Sequence, residues 1–430
     1  MHPAAPRTPV TLATGLDRDA SARIANALAI AGTALVSHDL RTVSLGYVVR
    51  QLRIVTDDDD RFLIEGVQLE HGCATCTLRH DLLPLLRRLH RDERVHRIVV
   101  LLDPILEPEE VVDEIIGTLV EGEGLPTAPA GDDVHVITTL CAVSQERWLD
   151  DATGDVTLTE AELTDMEDER TVAQVAVAQA RFADALIVEG PPVPEDPYGA
   201  ARLFAVLERL APTASIRSIG HGHEPTIAEM GEVLTSLPAA SRRGRLSTVF
   251  DPLLDGCPPL EADCGVELVT YEADRPFHPE RLHDALDVLL DGVVSARGRM
   301  WLTSSSDDIL WLESAGGALG ISRVATWLAA RSEEDLLDVA PAVRAMAALR
   351  WNEQNGDRHS SIVAVTHRAD PDEIRRTLDA ALVTDEELAR GPHFLATLPS
   401  PFGDVHHEPC EDNPAEPTTY EISTNEENNR

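Results

Sequence analysis

Val10-Thr11-Leu12-Ala13-Thr14-Gly15 decides the fold, because a short run suited to a buried strand ends at a glycine. Apolar residues at helical spacing follow over 20–31, so the sequence predicts a strand, a turn and a helix. Similar apolar runs, typical of parallel sheets, lie at 33–37, 98–102, 134–140 and 185–188. Helical patterns separate them at 82–89, 109–119, 171–182 and 200–210. This alternation predicts an α/β domain with a mostly parallel sheet and helices on both faces.

The second half of the chain differs in character. We place a first domain at 1–240 and a polar, proline-containing linker at 241–264. A smaller α+β domain is expected at 265–398, with strands at 267–271, 299–302, 309–313 and 361–366 and helices at 279–290 and 372–381. Residues 399–430 contain almost no apolar residues, which predicts a disordered acidic tail.

The charge composition is unusual. The 430 residues include 75 acidic and 36 basic residues, giving a net charge of −39, and every basic residue is arginine. A field of this sign repels phosphate backbones and anionic lipids, so we expect neither direct sequence-specific nucleic-acid binding nor membrane binding. High solubility alone would also account for the composition. The absence of a long apolar run or a signal pattern predicts a cytoplasmic protein.

The turn after the first strand lacks the chemistry of a phosphate site. A P-loop needs glycines that expose backbone N–H groups, a lysine for the phosphates, and Ser or Thr for Mg²⁺. Here the turn reads Gly15-Leu16-Asp17-Arg18-Asp19-Ala20-Ser21, and the chain has no lysine. We expect Asp17 or Asp19 to cap the helix, and we do not expect Arg18 or Arg23 to replace the lysine.

The guanine-specificity loop is also missing from its expected place. It ordinarily follows a late strand as Asn-Lys-x-Asp, whereas this chain continues from the run at 185–188 with Glu189-Gly190-Pro191-Pro192. We therefore assign no catalytic or nucleotide-binding residue and do not expect GTP as a cofactor.

Two cysteines form the most chemically specific motif. Cys73 and Cys76 have the spacing that presents two thiolates to one zinc ion. Two sulfurs do not complete a site, so His71, Glu70, His80 or a group from elsewhere must contribute, and we select His71. A redox pair and simple packing in a turn are the alternatives.

These motifs together resemble the CobW-like family of metal-homeostasis GTPases. The resemblance rests on Gly72-Cys73-Ala74-Thr75-Cys76, on Asp103-Pro104 with Glu107-Pro108, and on the segments 275–282 and 295–302. It implies a P-loop-NTPase-like first domain with a degenerate P-loop, and a second domain of the CobW C-terminal type. The family's cysteine motif has three cysteines, and Thr75 stands in place of the middle one.

Two motifs resemble a particular subgroup of that family. Cys-Ala-Thr-Cys-Thr-Leu-Arg at 73–79 and Asp-Pro-x-Leu-Glu-Pro at 103–108 are similar to those of proteins that recruit a ribosome hibernation factor under zinc starvation. The similarity implies a zinc-responsive, non-hydrolytic adaptor whose partners are that factor and the ribosome. The alternative is a GTP-binding zinc metallochaperone of the same family with an unusual phosphate site.

The remaining ligand-type residues carry weaker signals. Candidate ligands occur in loop-like sequence at His221 with His223, and at 406–410. Cys257 and Cys264 could pair or bind metal, and Cys141 ends an apolar strand and is most simply core. Asp103 could bind Mg²⁺ beside a nucleotide, but a turn-capping role is simpler. The acidic run 57–60 is expected to be the tip between two strands.

Overall fold

The computed structural model describes residues 6–69, 74–122, 124–166 and 168–402. The predicted acidic tail falls outside these residues from 403 onward, so its disorder remains a prediction. Within the described ranges, an eight-stranded sheet and a five-stranded sheet form the two main layers, accompanied by a small hairpin. No helix in these ranges is long and apolar enough to cross a membrane.

The first sheet has the strand order β10-β9-β8-β1-β5-β2-β3-β4. β1 pairs in parallel with both β5 and β8, and the parallel run extends through β2 on one side and through β9 and β10 on the other. The strands of this part of the chain are β1 Thr8–Thr14, β2 Thr33–Asp39, β3 Tyr47–Val55, β4 Asp60–Gln68, β5 Arg97–Leu101, β6 Leu119–Gly122, β7 Leu125–Pro129, β8 Val134–Ser144, β9 Ala185–Gly190 and β10 Ser215–Gly220.

Helices cover both faces of this sheet. α1 and α8 pack on one face through Ile24, Met230 and Val233, and α3, α4 and α6 pack on the other. The helices are α1 Arg18–Ala27, α2 Ala74–Thr77, α3 Leu83–His90, α4 Pro108–Gly117, α5 Trp148–Thr153, α6 Val172–Phe182, α7 Pro197–Leu210 and α8 Ile227–Thr235. Because parallel strands point the same way, their carboxyl ends meet at one edge of the sheet, where ligands bind in this type of fold.

β3 and β4 form an antiparallel hairpin at one side of the sheet. The acidic run makes its tip, where Thr56 N–H donates to the carbonyl of Asp59 at 2.8 Å, as the sequence predicted. The hairpin leads directly into the segment that carries the cysteine motif.

The second sheet is antiparallel, with the order β11-β15-β12-β13-β14. Phe277, Leu282 and Leu378 belong to the core between one face of this sheet and the helices α9 and α11. Its elements are β11 Glu267–Ala273, β12 Val293–Met300, β13 Asp308–Ala315, β14 Ala318–Thr326, β15 Ser360–Thr366, α9 Pro279–Ala285, α10 Pro341–Arg350, α11 Pro371–Ala381, α12 Asp385–Ala389 and α13 Pro392–Leu395.

The two halves share a hydrophobic core. Trp148 and Leu207 from the first half join Val266, Val294 and Val365 from the second in one buried cluster. Between α8 and β11 the chain has no helix or long strand. The α/β class and the second sheet-rich domain are therefore confirmed, while the exact domain boundaries remain predictions.

Several element boundaries differ from the prediction. α1 starts at Arg18 and ends at Ala27, whereas a helix over 20–31 was expected. The helix predicted over 82–89 is preceded by a π-helical turn, Leu78–Leu82. The strand expected at 299–302 is β12, which starts at Val293 and ends at Met300 because its first residues are buried against both neighbouring strands.

Candidate functional site

The turn after β1 is closed by the side chain of Asp17, which belongs to the turn itself. Gly15 has φ +148°, and a Cβ there would lie 2.7 Å from both the Ala142 carbonyl oxygen and Ser21 Oγ, so only glycine fits. Asp17 caps α1, its Oδ1 accepting from the N–H groups of Asp19 and Ala20 at 3.0 Å each. The sequence predicted a cap at Asp17 or Asp19, and the structure shows that Asp17 provides it. A carboxylate therefore bonds the N–H groups that a phosphate would otherwise take.

Arg18 turns inward from the same turn. Its Nη1 donates to Asp103 Oδ2 at 2.6 Å, and the Asp103 side chain is fully buried. Asp103 also accepts from Leu40 N–H at 3.0 Å and Ile105 N–H at 3.3 Å. This agrees with the expected capping role, because the oxygens that could bind Mg²⁺ are already bonded by protein donors.

Arg23, also in α1, forms a second ion pair at this edge, with Glu189. Its Nη2 lies 2.6 Å from Glu189 Oε2 at the end of β9. Glu189 Oε1 accepts from Gly222 N–H at 2.6 Å and lies 3.5 Å from His221 Nδ1. Glu189 therefore joins α1 to the loop after β10, at the place where the guanine-specificity loop would start.

The acidic and basic groups at this edge are matched. Arg41 bonds Asp39 at the end of β2, and this hydrogen bond is the main reason that the pKa of Asp39 is lowered. Each of four carboxylates at the carboxyl ends of the strands faces an arginine, in the pairs Asp17 with Arg147, Asp39 with Arg41, Asp103 with Arg18 and Glu189 with Arg23. These four pairs therefore contribute no net positive charge that could attract a polyphosphate.

The predicted zinc ligands lie mostly outside the described residues. His71 and Cys73 are not described; the backbone of Cys76 lies in α2, but its side chain is not described. The zinc site consequently remains a prediction. Its flanks are well defined, because Leu69 is buried before the motif and Thr77 and Leu78 are buried after it.

A buried ionic network follows the motif immediately. Asp81, in the π-helical turn, accepts from His38 Nε2 at 2.6 Å and from Arg50, which also contacts Glu65. Burial opposes ionisation of Asp81, but the bond to His38 and the charge of Arg50 hold its pKa below the usual range. The network ties the helix after the cysteines to β2 and β3.

This network was not predicted from the sequence. The available signal was Asp81 itself, which lies among Leu78, Leu82 and Leu85 at the spacing of an inward helix face. A carboxylate at such a position requires a buried partner. That the partner of Asp81 is His38 could not be predicted, because the sequence pattern does not give the strand order.

Of the other candidate ligands, those that the structure describes lie in loops or, for Cys141, in the core. His223 contacts Glu229 at 3.1 Å in an exposed loop, and residues 406–410 are outside the described ranges. Cys257 and Cys264 are free thiols, and Cys141 is buried, with its pKa raised to about 12 by burial. Within the described ranges, no group of three or more His, Cys, Asp or Glu side chains could hold a metal ion.

The comparisons with known proteins agree with this architecture. The nucleotide-binding domain of CobW/HypB/UreG matches residues 49–190, and the C-terminal domain of the cobalamin synthesis protein CobW matches 266–382. The fold and site thus define a nucleotide-hydrolase-like α/β domain joined to a CobW C-terminal domain.

Similar whole proteins extend this result. A zinc chaperone of Mycobacterium tuberculosis is 40% identical over 412 residues, covering 95% of this chain and 96% of the relative. A zinc-regulated GTPase metalloprotein activator of Dictyostelium discoideum is 23% identical, covering 78% of this chain and 70% of the relative. The Zn(II)-bound YjiA GTPase of E. coli aligns with a TM-score of 0.36 at 11% identity over 88% of this chain and 100% of that chain. The chain belongs to the CobW-like family of metal GTPases, as its sequence motifs indicated.

Proposed function

We propose that this member of a metal-homeostasis family acts as a zinc-responsive adaptor that does not hydrolyse nucleotide. The observation that carries the proposal is the set of arginine–carboxylate pairs at the carboxyl edge of the first sheet. Asp17 holds the α1 N-terminus, and Arg18 and Arg23 are committed to Asp103 and Glu189. Binding GTP would require breaking these pairs without a lysine to compensate, so the residues present do not fit a guanosine triphosphate.

Zinc is the metal that the predicted donor set favours. Two thiolates from Cys73 and Cys76 with an imidazole from His71 match the sulfur and nitrogen ligands of zinc. Three protein ligands would leave a position open for exchange. The naming of the similar mycobacterial protein as a zinc chaperone supports zinc as the relevant ion.

The network around Asp81 supplies a route from the zinc segment to the sheet edge. Asp81 lies five residues after Cys76 and bonds His38, whose neighbour Asp39 lies 3.9 Å from Arg18 at the edge. A change in the backbone at the cysteines would therefore act on the surface that a nucleotide occupies in active relatives of this fold. We propose that this surface responds to zinc.

The proposed partners are a ribosome hibernation factor and, through it, the ribosome. The net charge of −39 disfavours direct contact with ribosomal RNA, so recruitment through a protein is the physically simpler route. Sedimentation with ribosomes from zinc-starved and zinc-replete cells tests this. We expect zinc-dependent co-sedimentation, and absence from ribosomal fractions under both conditions would contradict the partner assignment.

The second candidate function is a GTP-binding zinc chaperone, which the names of two similar proteins favour. Titration with a fluorescent GTP analogue and Mg²⁺ separates the two functions. The adaptor predicts no saturable binding and no turnover at millimolar nucleotide. Micromolar binding with turnover would reject the adaptor and support the chaperone.

Metal analysis of cysteine variants tests the zinc site. We expect stoichiometric zinc in the wild type, and its loss in Cys73→Ser with Cys76→Ser. The matched control is Cys257→Ser with Cys264→Ser, which removes two free thiols away from the motif. Purified wild type without zinc, in which Cys73 and Cys76 oxidise reversibly as a pair, would support a redox switch instead.

A further inference from the structure

A cavity of about 300 Å³ lies in the second domain, away from the sheet edge described above. It is enclosed by one face of the second sheet, the irregular segment before β11, and α10. Its lining includes Phe250, Leu253, Arg299, Trp327, Ala347 and His359. This volume is at the lower end of the range of small-molecule sites.

Arg299 is a buried cation without a carboxylate. Its exposed fraction is 7%, and its Nη2 donates to the carbonyl oxygen of Asp251 at 2.7 Å. Its Nε has no hydrogen-bond partner, and it forms no ion pair with any residue that the structure describes. The buried Arg87 and Arg181 each pair with a carboxylate, whereas the buried Arg209, like Arg299, bonds only backbone carbonyl groups among the described residues.

The charges of Asp251 and Glu272 favour the charged form of Arg299 but do not offset its burial. The lining contains two acidic residues, and both are engaged by other groups. Glu272 accepts two hydrogen bonds from Arg350, of 2.6 and 2.5 Å, and Asp357 accepts from the backbone N–H groups of Leu328 and Ala329 at 2.9 Å each. Burial, followed by the charge of Arg350, lowers the pKa of Arg299 to about 10, which leaves it charged at neutral pH. A buried unpaired charge is costly, so an anion in the cavity would gain a strong partner.

The rest of the lining is suited to an apolar body. Phe250, Met346 and Ala347 contribute hydrophobic surface, and the indole N–H of Trp327 lacks a hydrogen-bond partner. The Nδ1 of His359 lies 2.8 Å from the carbonyl of Asp357 and must donate to it. Because burial also lowers the pKa of His359, its ring is neutral at pH 7 and its other nitrogen is an acceptor.

We propose that this cavity binds an organic carboxylate with an aromatic or branched aliphatic body, whose carboxylate pairs with Arg299. A free acid and the C-terminal residue of another protein chain both present this chemistry. The proposal does not depend on zinc or nucleotide, so it can fail or succeed separately from the proposed function.

Calorimetric titration with matched probes tests the proposal. The first arm compares 4-phenylbutyrate with 4-phenylbutanol, and the second compares a tetrapeptide ending in free leucine with its C-terminal amide. We expect saturable binding of the acid in at least one arm, and at least tenfold weaker binding of the neutral partner. The arm that binds more tightly identifies the source of the carboxylate.

Two variants assign the binding to this cavity. Arg299→Gln should weaken acid binding at least tenfold, and Ala347→Leu, which fills the cavity without changing its charge, should also weaken it. Arg344 is an exposed residue of α10, the helix that carries Ala347, and it does not line the cavity. The Arg344→Gln variant should therefore bind the acid as the wild type does. Far-UV circular dichroism checks that each variant is folded. Equal affinity for acid and neutral probe, unchanged binding by folded Arg299→Gln, or no binding in either arm would overturn the proposal.

Discussion

Arginine is used at the sheet edge as a structural cation. Its planar guanidinium carries fixed charge and bonds several acceptors at once, and here Arg18 and Arg23 link α1 to β5 and β9. Lysine would present a single compact ammonium to a phosphate. The use of arginine at this edge, in a chain without lysine, therefore affects how the edge is held together as well as what it can bind.

At the residue scale, Asp81 is expected to be the most sensitive carboxylate of the buried network. Asp81→Ala leaves His38 and part of Arg50 without partners in a buried region and should cost about 3–5 kcal/mol in the free energy of unfolding. The matched control is Glu65→Ala, because the Glu65 side chain is 44% exposed and its loss should cost less than about 1 kcal/mol. Urea denaturation at pH 7 measures both, and equal costs would contradict the assignment.

Glu107 is expected to give the protein a distinctive dependence on pH. Burial, reinforced by the charge of Glu110, raises the pKa of Glu107 from 4.5 to about 7. The folded protein therefore holds this proton more tightly than the unfolded chain, and the contribution of Glu107 to stability falls as pH rises from 4.5 to 7.

Glu107→Gln removes the loss of folding stability that Glu107 causes as pH rises. Relative to wild type, the variant should gain stability between pH 5 and pH 8, by up to about 3 kcal/mol. Glu109→Gln, in the exposed first turn of the same helix, should show no such gain. Chemical denaturation at the two pH values measures the difference in stability between the variant and the wild type, and a difference that is the same at both pH values would show that Glu107 has an ordinary pKa.

At the scale of elements, α1 depends on its cap. Asp17→Ala removes the acceptor for two N–H groups and should destabilise the protein by about 1 kcal/mol. Asp19 lies two residues later, in the first turn, and is not the helix cap. Asp19→Ala should therefore cost only a few tenths of that amount. Thermal unfolding of the two variants is the measurement. A larger effect of Asp19→Ala than of Asp17→Ala would show that Asp17 is not the main cap.

The elements also show where sequence patterns are sufficient. β8 was predicted from its nearly continuous apolar run, and α6 was predicted from apolar residues at helical spacing. β14 and α10 were missed because each is half exposed: α10 buries only Ala347, and β14 has no clear alternation. At the site, Asp17 could be predicted from its place before a helix, whereas the partners Arg18–Asp103 and Arg23–Glu189 could not. Those pairs join residues far apart in the chain and depend on strand order.

At the scale of the whole molecule, the shared core should make the two halves unfold together. Trp148, Val266 and Val294 lie in one buried cluster that spans both halves, and Arg181 crosses between them to Glu313 and Ser295. Tryptophan fluorescence and far-UV circular dichroism should therefore report one coincident thermal transition. Two separated transitions would contradict a shared core.

Arg181 offers a direct test of that connection. Arg181→Ala leaves Ser295 without this donor and removes the ion pair with the half-exposed Glu313, so we expect a loss of about 1–3 kcal/mol. Arg344→Ala, an exposed arginine of α10, should change stability by less than about 0.5 kcal/mol. Calorimetry compares the two, and an unaffected midpoint in Arg181→Ala would show that the hydrophobic core alone joins the halves.

The sequence by itself determined the α/β class, the absence of a lysine for phosphate binding, a helix cap at Asp17 or Asp19 and the cysteine spacing at 73 and 76. These are local properties, because periodicity, residue type and short spacing act within one element or turn. Tertiary structure decided which charges meet: Asp103 with Arg18, Glu189 with Arg23, and Asp81 with His38, whereas Arg299 forms no ion pair with a carboxylate of the described residues. Electrostatic pairing depends on distances of a few ångströms between residues far apart in the chain, and only the packed strands and helices fix those distances.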